Sequence, residues 1–406
     1  MTEGAFLTTP FQKSTADRNT TTWWYGWGGY VVPDVYTDLH TELNAIRTGV
    51  SMNEMSPIPK IEVRGPDAQA CVDHLISRDV SKMDVGHALY SPWCTYDGKV
   101  VSDGIVFRFE PDRFLFSGDR SETFFRQHSV RFDVVIEDVT DDHGILALQG
   151  PRSRDVLEAT TGESWQDLRF SRVRSTRVAG ARVRVVRQGF TGELGFELWV
   201  ERSDGHRGWE AVAEAGADFD IQPAGEYAID VARVEAGLIL VSADYTGAGP
   251  DTPTADVIPN PADQVTPYEL GLGHCIDFGK EADFLGREAL AAEYETGPKR
   301  RIVGLDLDCA AIVHLFLEAG LAPDVSPRVR WDHLVLRRGG RRVGRASSVT
   351  WSPTTARLIG FGLLPSDLTD VGTELTVEWA DFWGRPLGPA AAEVCEYPFV
   401  DLNRAT

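Results

Sequence analysis

A glycine-studded turn, Gly189-Phe190-Thr191-Gly192-Glu193-Leu194-Gly195-Phe196-Glu197, lies between two segments patterned as β-strands. Before it, Arg182 to Arg187 alternates charged and valine side chains until Val186 breaks the rhythm. After it, Phe196, Leu198 and Val200 fall on one face and Glu197 and Trp199 on the other, because strand side chains alternate. Three glycines in seven residues let the backbone turn tightly and another group come close. The turn thus delivers one carboxylate, Glu197, onto a sheet face beside a tryptophan. An anion next to an aromatic plate suits a flat heterocycle with paired N–H donors, such as a pterin or guanine edge. The same spacing also fits a plain glycine-rich hairpin with an exposed glutamate, and spacing alone leaves both open.

A chain of 406 residues is long enough for two or three cores. Its net charge of −21, with 34 arginines and 6 lysines, argues against nucleic acid or an anionic membrane as main partner. Cys71, Cys94, Cys275, Cys309 and Cys395 are odd in number and scattered, which fits reduced thiols. Residues 1–22 are polar, and no run of 18 apolar residues occurs, so a cytoplasmic chain is expected.

Residues 1–22 read as an irregular arm, and Trp23 to Tyr30 as a packed loop or short hairpin. A helical pattern covers 36–48. Ile61–Val63 reads as a strand and Gly65-Pro66-Asp67 as a helix start capped by Asp67. Further helices are expected at 154–159, 224–240 and 283–293. The stretch 245–264, rich in Pro, Gly, Thr and Asp, is a long loop of the kind that carries function. From Arg301 onward, short strands separated by turn signals at Gly339-Gly340, Pro353, Gly372 and Gly384 read as an all-β unit. The expected class is α+β, with two interleaved α+β subdomains over 1–295 and a barrel-like domain over 296–406.

A second constellation runs from Tyr90 to Ile105. Asp97-Gly98 signals a hairpin, and in the strand after it Val101, Asp103, Ile105, Phe107 and Phe109 share a face. Asp103 thus stands in register with apolar side chains, where an unpaired carboxylate is costly. It is either a paired, pKa-shifted group of the kind that gathers in functional sites or a carboxylate at a bend meeting water. In the 224–240 helix, Asp230 and Arg233 are spaced to pair on one face. No histidine pair has ligand spacing, so no metal is expected, and no nucleophile elbow or phosphate loop is present.

Taken in order, these segments resemble the glycine-cleavage T-protein (aminomethyltransferase) superfamily. The likeness runs through Lys60 to Ala68, Tyr90 to Asp103, Leu148-Gln149-Gly150-Pro151, Gly189 to Glu197, Val231 to Gly237, Pro267 to Gly273, Phe284 to Leu290, Val343 to Ser348 and Trp351 to Thr354. The resemblance implies a three-domain cloverleaf around a central channel holding tetrahydrofolate. It implies Asp103 as the catalytic acid, with Tyr90, Phe190 (in place of a tyrosine), Glu197 and Arg233 around the folate. Three departures stand out: Pro57-Ile58-Pro59 where the family has His-Met-Gly, Tyr227-Ala228-Ile229-Asp230 where it has Gly-Ala-Arg-Asp, and Ala243-Asp244 where it has His-Asp.

These departures shift the expectation from an aminomethyl-lipoyl substrate to demethylation of a small N-, O- or S-methylated donor, with transfer to folate N5. An aminomethyltransferase served by a lipoylated carrier protein is the alternative. A non-enzymatic folate-binding protein of iron–sulfur assembly is a third, but residues 278–288 lack that branch's cysteine. Donor specificity is expected from Trp27 and Tyr30 in the aromatic cluster and from Tyr245 at the head of the 245–264 loop.

Overall fold

The computed structural model describes residues 6–251, 263–325 and 328–402. Three sheets organise the chain. A six-stranded sheet takes, in spatial order, Val173–Val178, Ala181–Val186, Gly195–Glu201, His143–Gln149, Ser51–Glu54 and Gln222–Pro223. A five-stranded sheet takes His87–Cys94, Val100–Glu110, Arg113–Gly118, Lys60–Arg64 and Val135–Asp138. The chain therefore leaves the first sheet after Glu54, builds the second, and returns at His143. The six strands from Arg300–Leu307 to Pro386–Cys395 close into a barrel, and Trp23–Trp27 pairs with Tyr30–Val35 in a separate two-stranded hairpin.

Strand alternation decides what each sheet buries. Phe196, Leu198 and Val200 pack with Val156, Leu157, Trp209 and Val212 of the helices Ser153–Thr161 and Gly205–Gly216. The second sheet packs its own core against the helices Ala68–Leu75 and Glu122–His128. The opposite faces meet each other through Trp199, Val186, Ala147, Phe107, Leu115 and Met55. Burying a side chain of this size is worth roughly 1.5–3 kcal/mol, so this seam holds the sheets in fixed relation. Where the two faces part, a cavity opens.

Several elements depart from the sequence expectations. The arm contains a seven-residue helix, Gln12–Arg18. It is pinned by Phe11, whose ring lies 5.7 Å from that of Trp209 and covers Gly144, where a Cβ would stand 2.8 Å from it. A single apolar anchor leaves no periodicity to read. The second helix starts at Leu39, not 36, because Asp38 accepts a hydrogen bond from Thr41 N at 2.9 Å. Asp67 does not cap its helix; its carboxylate accepts instead from Asp133 N at 2.9 Å.

The long helix is shorter than expected, Glu226–Glu235, and ends ahead of Gly237 at φ +71, over which Tyr397 and Pro398 are packed. The next one is Arg287–Thr296, with Gly286 (φ +83) before it rather than inside. The tail is not all β. It carries the helix Cys309–Glu318, capped by Asp308, whose Ile312 and Phe316 enter the barrel core. In the strand Val100–Glu110, Val101 joins the helix-side core with Val106, so it does not share the face of Ile105, Phe107 and Phe109. A register shift between Trp93 and Cys94 accompanies this change of face. Of the expected 245–264 loop, 252–262 lie outside the described residues.

Candidate functional site

The 189–197 turn is built on Gln149. A Cβ at Gly189 would collide with the Gln149 side-chain oxygen, and one at Gly195 would lie 2.5 Å from the amide. Gln149 is held there by Thr191, whose hydroxyl donates to Oε1 at 3.0 Å. A Cβ at Gly192, whose φ is +83, would lie 2.8 Å from Ala236, so the turn also abuts the end of the helix Glu226–Glu235. Arg47 completes the lock. It donates to Thr191 O (2.5 Å), Glu193 (3.1 Å), Glu235 (2.8 Å) and Ala232 O (2.9 Å). Each glycine is therefore required by a named neighbour.

From this base Glu197 projects into the cavity, and Trp199 Nε1 donates to its Oε2 at 3.0 Å. No other hydrogen bond to the Glu197 carboxylate is made among the described residues. Burial raises its pKa, opposed by the Trp199 hydrogen bond and by Lys60. Lys60 is itself fully buried, donates to Ser56 O (2.7 Å) and Ile58 O (2.9 Å), and lies 5.9 Å from the Trp199 ring centre.

The cavity measures about 1360 Å³. That exceeds the roughly 300–1,000 Å³ of a pocket for one drug-sized ligand, which leaves room for two reactants. Asp103 stands in its wall. Gly104, opposite Gly118, has backbone where a Cβ would be, so the strands close tightly beside it. Tyr90 OH donates to Asp103 Oδ2 at 2.7 Å and Tyr245 OH to Oδ1. Burial nonetheless raises the Asp103 pKa, with Asp119 and Asp244 adding to it and the two tyrosines lowering it. Asp103 is thus a fixed carboxylate able to take or stabilise a positive charge.

Tyr90, Asp103, Phe190, Glu197, Trp27 and Tyr30 all line this one cavity. Tyr30 spends its hydroxyl on Asp141 at 2.7 Å. Two expected site residues do not reach it. Tyr245 is wholly buried behind Asp103, so it orients that carboxylate rather than meeting a substrate. Arg233 is also wholly buried, bound to Asp230 (2.9 Å), Asp244 (2.7 Å), Leu238 O (3.2 Å) and Ser348 (2.8 Å). Its fork is filled by the protein itself, which corrects the expectation of a folate contact.

Sequence reading missed Gln149, Arg47 and Lys60 as supports and Glu226 as a cavity residue. Gln149 stood within a motif already singled out, but its partners lie 39 to 46 residues further on. Nothing in local spacing shows that contact.

Residues 17–255 match the family described as the GCVT N-terminal domain, and residues 318–401 that described as the glycine cleavage T-protein C-terminal barrel domain. An aminomethyltransferase of Bacillus pumilus (strain SAFR-032) is 30% identical over 357 residues, 86% of this chain and 89% of the relative. One of Desulfitobacterium hafniense (strain DSM 10664 / DCB-2) is 30% identical over 355 residues, 86% and 88% of the two chains. The crystal structure of the glycine cleavage system aminomethyltransferase T from Bartonella henselae superposes with a TM-score of 0.80 at 22% identity, covering 98% of this chain and 99% of that one, and shares the fold. The chain belongs to the glycine cleavage T-protein family. It is an enzyme, a folate-dependent transferase whose cofactor is tetrahydrofolate.

The cavity suits that cofactor. Glu197 keeps acceptor capacity for ring N–H donors, and Phe190 offers a flat, half-buried face in the same wall. Among the described residues no helix is long and apolar enough to cross a membrane.

Proposed function

We propose that the protein moves a methyl group from a small N-, O- or S-methylated donor to tetrahydrofolate, a demethylase-type transfer. The observation that carries this reading is the shared cavity: Asp103, pinned by Tyr90 and Tyr245, and Glu197, with acceptor capacity to spare, face one space large enough for two reactants. Tetrahydrofolate, when bound, supplies the nucleophilic N5 nitrogen. Glu197, held by Trp199, orients the pterin, Phe190 stacks on it, and Asp103 holds a proton or a developing positive charge beside the reacting atoms.

Ile229 supports the finer reading. It lines the cavity at the place where the family pattern sets an arginine, so a cationic group is absent from that wall. A second reading, aminomethyl transfer from a lipoylated carrier, is favoured by the names of the curated relatives. Incubating the protein with tetrahydrofolate and methylated amines, ethers and sulfides, with mass spectrometry of the folate, tests both. A 5-methyl product supports the proposal. A 5,10-methylene product formed only with a lipoylated carrier and accompanied by ammonia would replace it with the second reading.

A further inference from the structure

The cavity has a second acidic end. The helix Glu226–Glu235 turns Glu226, Ile229 and Asp230 toward it, one turn of one face. Tyr25 and Trp331 flank them, and Trp331 Nε1 donates to Asp230 Oδ2 at 2.9 Å. We infer that this end seats the one-carbon donor and that the donor is an onium compound, a quaternary ammonium or sulfonium carrying the transferable methyl. The inference rests on reading the cavity as a one-carbon transfer site and adds the substrate class.

Counting charges at this end leads there. Five charged groups face one another: Glu226 and Asp230 on the helix, Asp34 on the strand Tyr30–Val35, Arg233 from the helix's buried side, and Arg328. Arg233 is committed to Asp230 and Asp244, and Arg328 to Asp34. Glu226 alone makes no hydrogen bond or ion pair among the described residues. Burial first, then Asp230 and Asp34, raise its pKa well above the usual carboxylate range, with Arg233 and Arg328 only partly opposing them. Tyr25, a further titratable neighbour beside Tyr227 and Asp244, is likewise raised by burial and by Glu226, Asp230 and Asp34. Three acids thus share two guanidinium groups here, one of which also serves Asp244, and Glu226 is the acid left without a cation of its own.

An onium ion fits what surrounds the gap. Its charge is spread over methyl groups, so it takes apolar and aromatic contact as readily as a carboxylate. Ile229 supplies the first, and the side chains of Tyr25 and Trp331 the second; a cation over an aromatic ring is worth about 0.5–2 kcal/mol. The transfer balances without an added reactant. The carbon–heteroatom bond breaks with its electron pair left on the heteroatom, which departs neutral. The methyl carbon bonds to the acceptor nitrogen, and that nitrogen's proton passes to the Asp103 carboxylate. The leaving group needs no acid, so carboxylates at this end do not obstruct it.

Choline and 3,3-dimethylbutan-1-ol, which have the same shape but differ in charge, form the test. Calorimetry of the full chain without folate is expected to show choline binding at least about tenfold tighter than the neutral alcohol, a gap of about 1.4 kcal/mol. Glu226→Gln is expected to remove that preference, and Glu226→Asp to keep part of it even if the glutamine variant fails to fold. Choline binding should also release a proton from Glu226, seen as heat that varies with buffer ionisation enthalpy. Equal affinity for the alcohol, or an unchanged choline preference in folded Glu226→Gln, would overturn the inference. Tetrahydrofolate binding, titrated separately, keeps the two readings apart: its failure counts against the transferase site and leaves the choline result standing.

Discussion

The two ends of the cavity are made differently. At the Glu197 end every part is clasped: glycines fit over Gln149, Arg47 ties the turn to the next helix, and Trp199 fixes the carboxylate. At the Glu226 end the supporting cations are spent on other acids and one carboxylate stands alone. A site for a ligand common to a whole family can be rigid, since its occupant never changes. A site for a variable donor is set by a few side chains on a helix face, where substitution costs the fold little. Asp103, the proposed catalytic acid, lines the same cavity.

The largest expected effect separates binding from chemistry. Asp103→Asn should lower turnover by about 10²-fold or more while leaving folate titration nearly unchanged. Comparable turnover in that variant would remove Asp103 from the mechanism. Glu197→Gln tests the clasped end and should weaken folate by about 1.5–3 kcal/mol, roughly ten- to a hundredfold. Choline binding at the far end should be unaffected, and a loss there would mean the ends are not separate.

Next comes the interlock itself. Gly195→Ala should destabilise the protein by about 1–3 kcal/mol through its clash with Gln149. Adding Gln149→Ala should cost less than the sum of the two single changes, because the clash partner is gone. Strict additivity in thermal unfolding would contradict the packing described.

The smallest effect concerns the pair beneath Trp199. Burial pushes Glu54 up to about 7 and brings Lys60 down to about 7. The folded chain holds the Glu54 proton more tightly than the unfolded one. Its contribution is therefore full below the ordinary carboxylate range and is lost as pH rises to about 7. Lys60 acts in reverse: its contribution is full above its usual 10.5 and is lost as pH falls through about 7. Melting temperature should carry a shallow minimum near that pH, with Lys60→Met flattening the alkaline arm and Glu54→Gln the acid one. Identical pH profiles for all three proteins would count against the burial of this pair.

What the sequence made legible follows the reach of each interaction. The face shared by Glu197 and Trp199, the hairpin at Asp97-Gly98 and the C-terminal strands depend on neighbours along the chain, and the structure has them. Arg233 was misread because Asp230 explains only part of its guanidinium; Asp244 and Ser348 fill the rest, the latter 115 residues away. Tyr245 was placed at a substrate for the same reason, since only the folded chain sets its hydroxyl against Asp103. The helix Cys309–Glu318 was readable from Asp308 and Gly320 at its two ends but was hidden in a run apolar on nearly every side.

Glu235 is fully buried and takes Arg47 on one side and Ser352 and Thr354 of the barrel on the other, at 2.8, 2.6 and 3.0 Å. Three distant stretches of chain converge on a single carboxyl group. A hybrid that borrows its barrel from a relative would inherit a strange hand at that joint unless both hydroxyls came with it. The unit of exchange among such enzymes is then larger than a lobe: it includes the handshake, and recombination that cuts through it strands a charge in the interior.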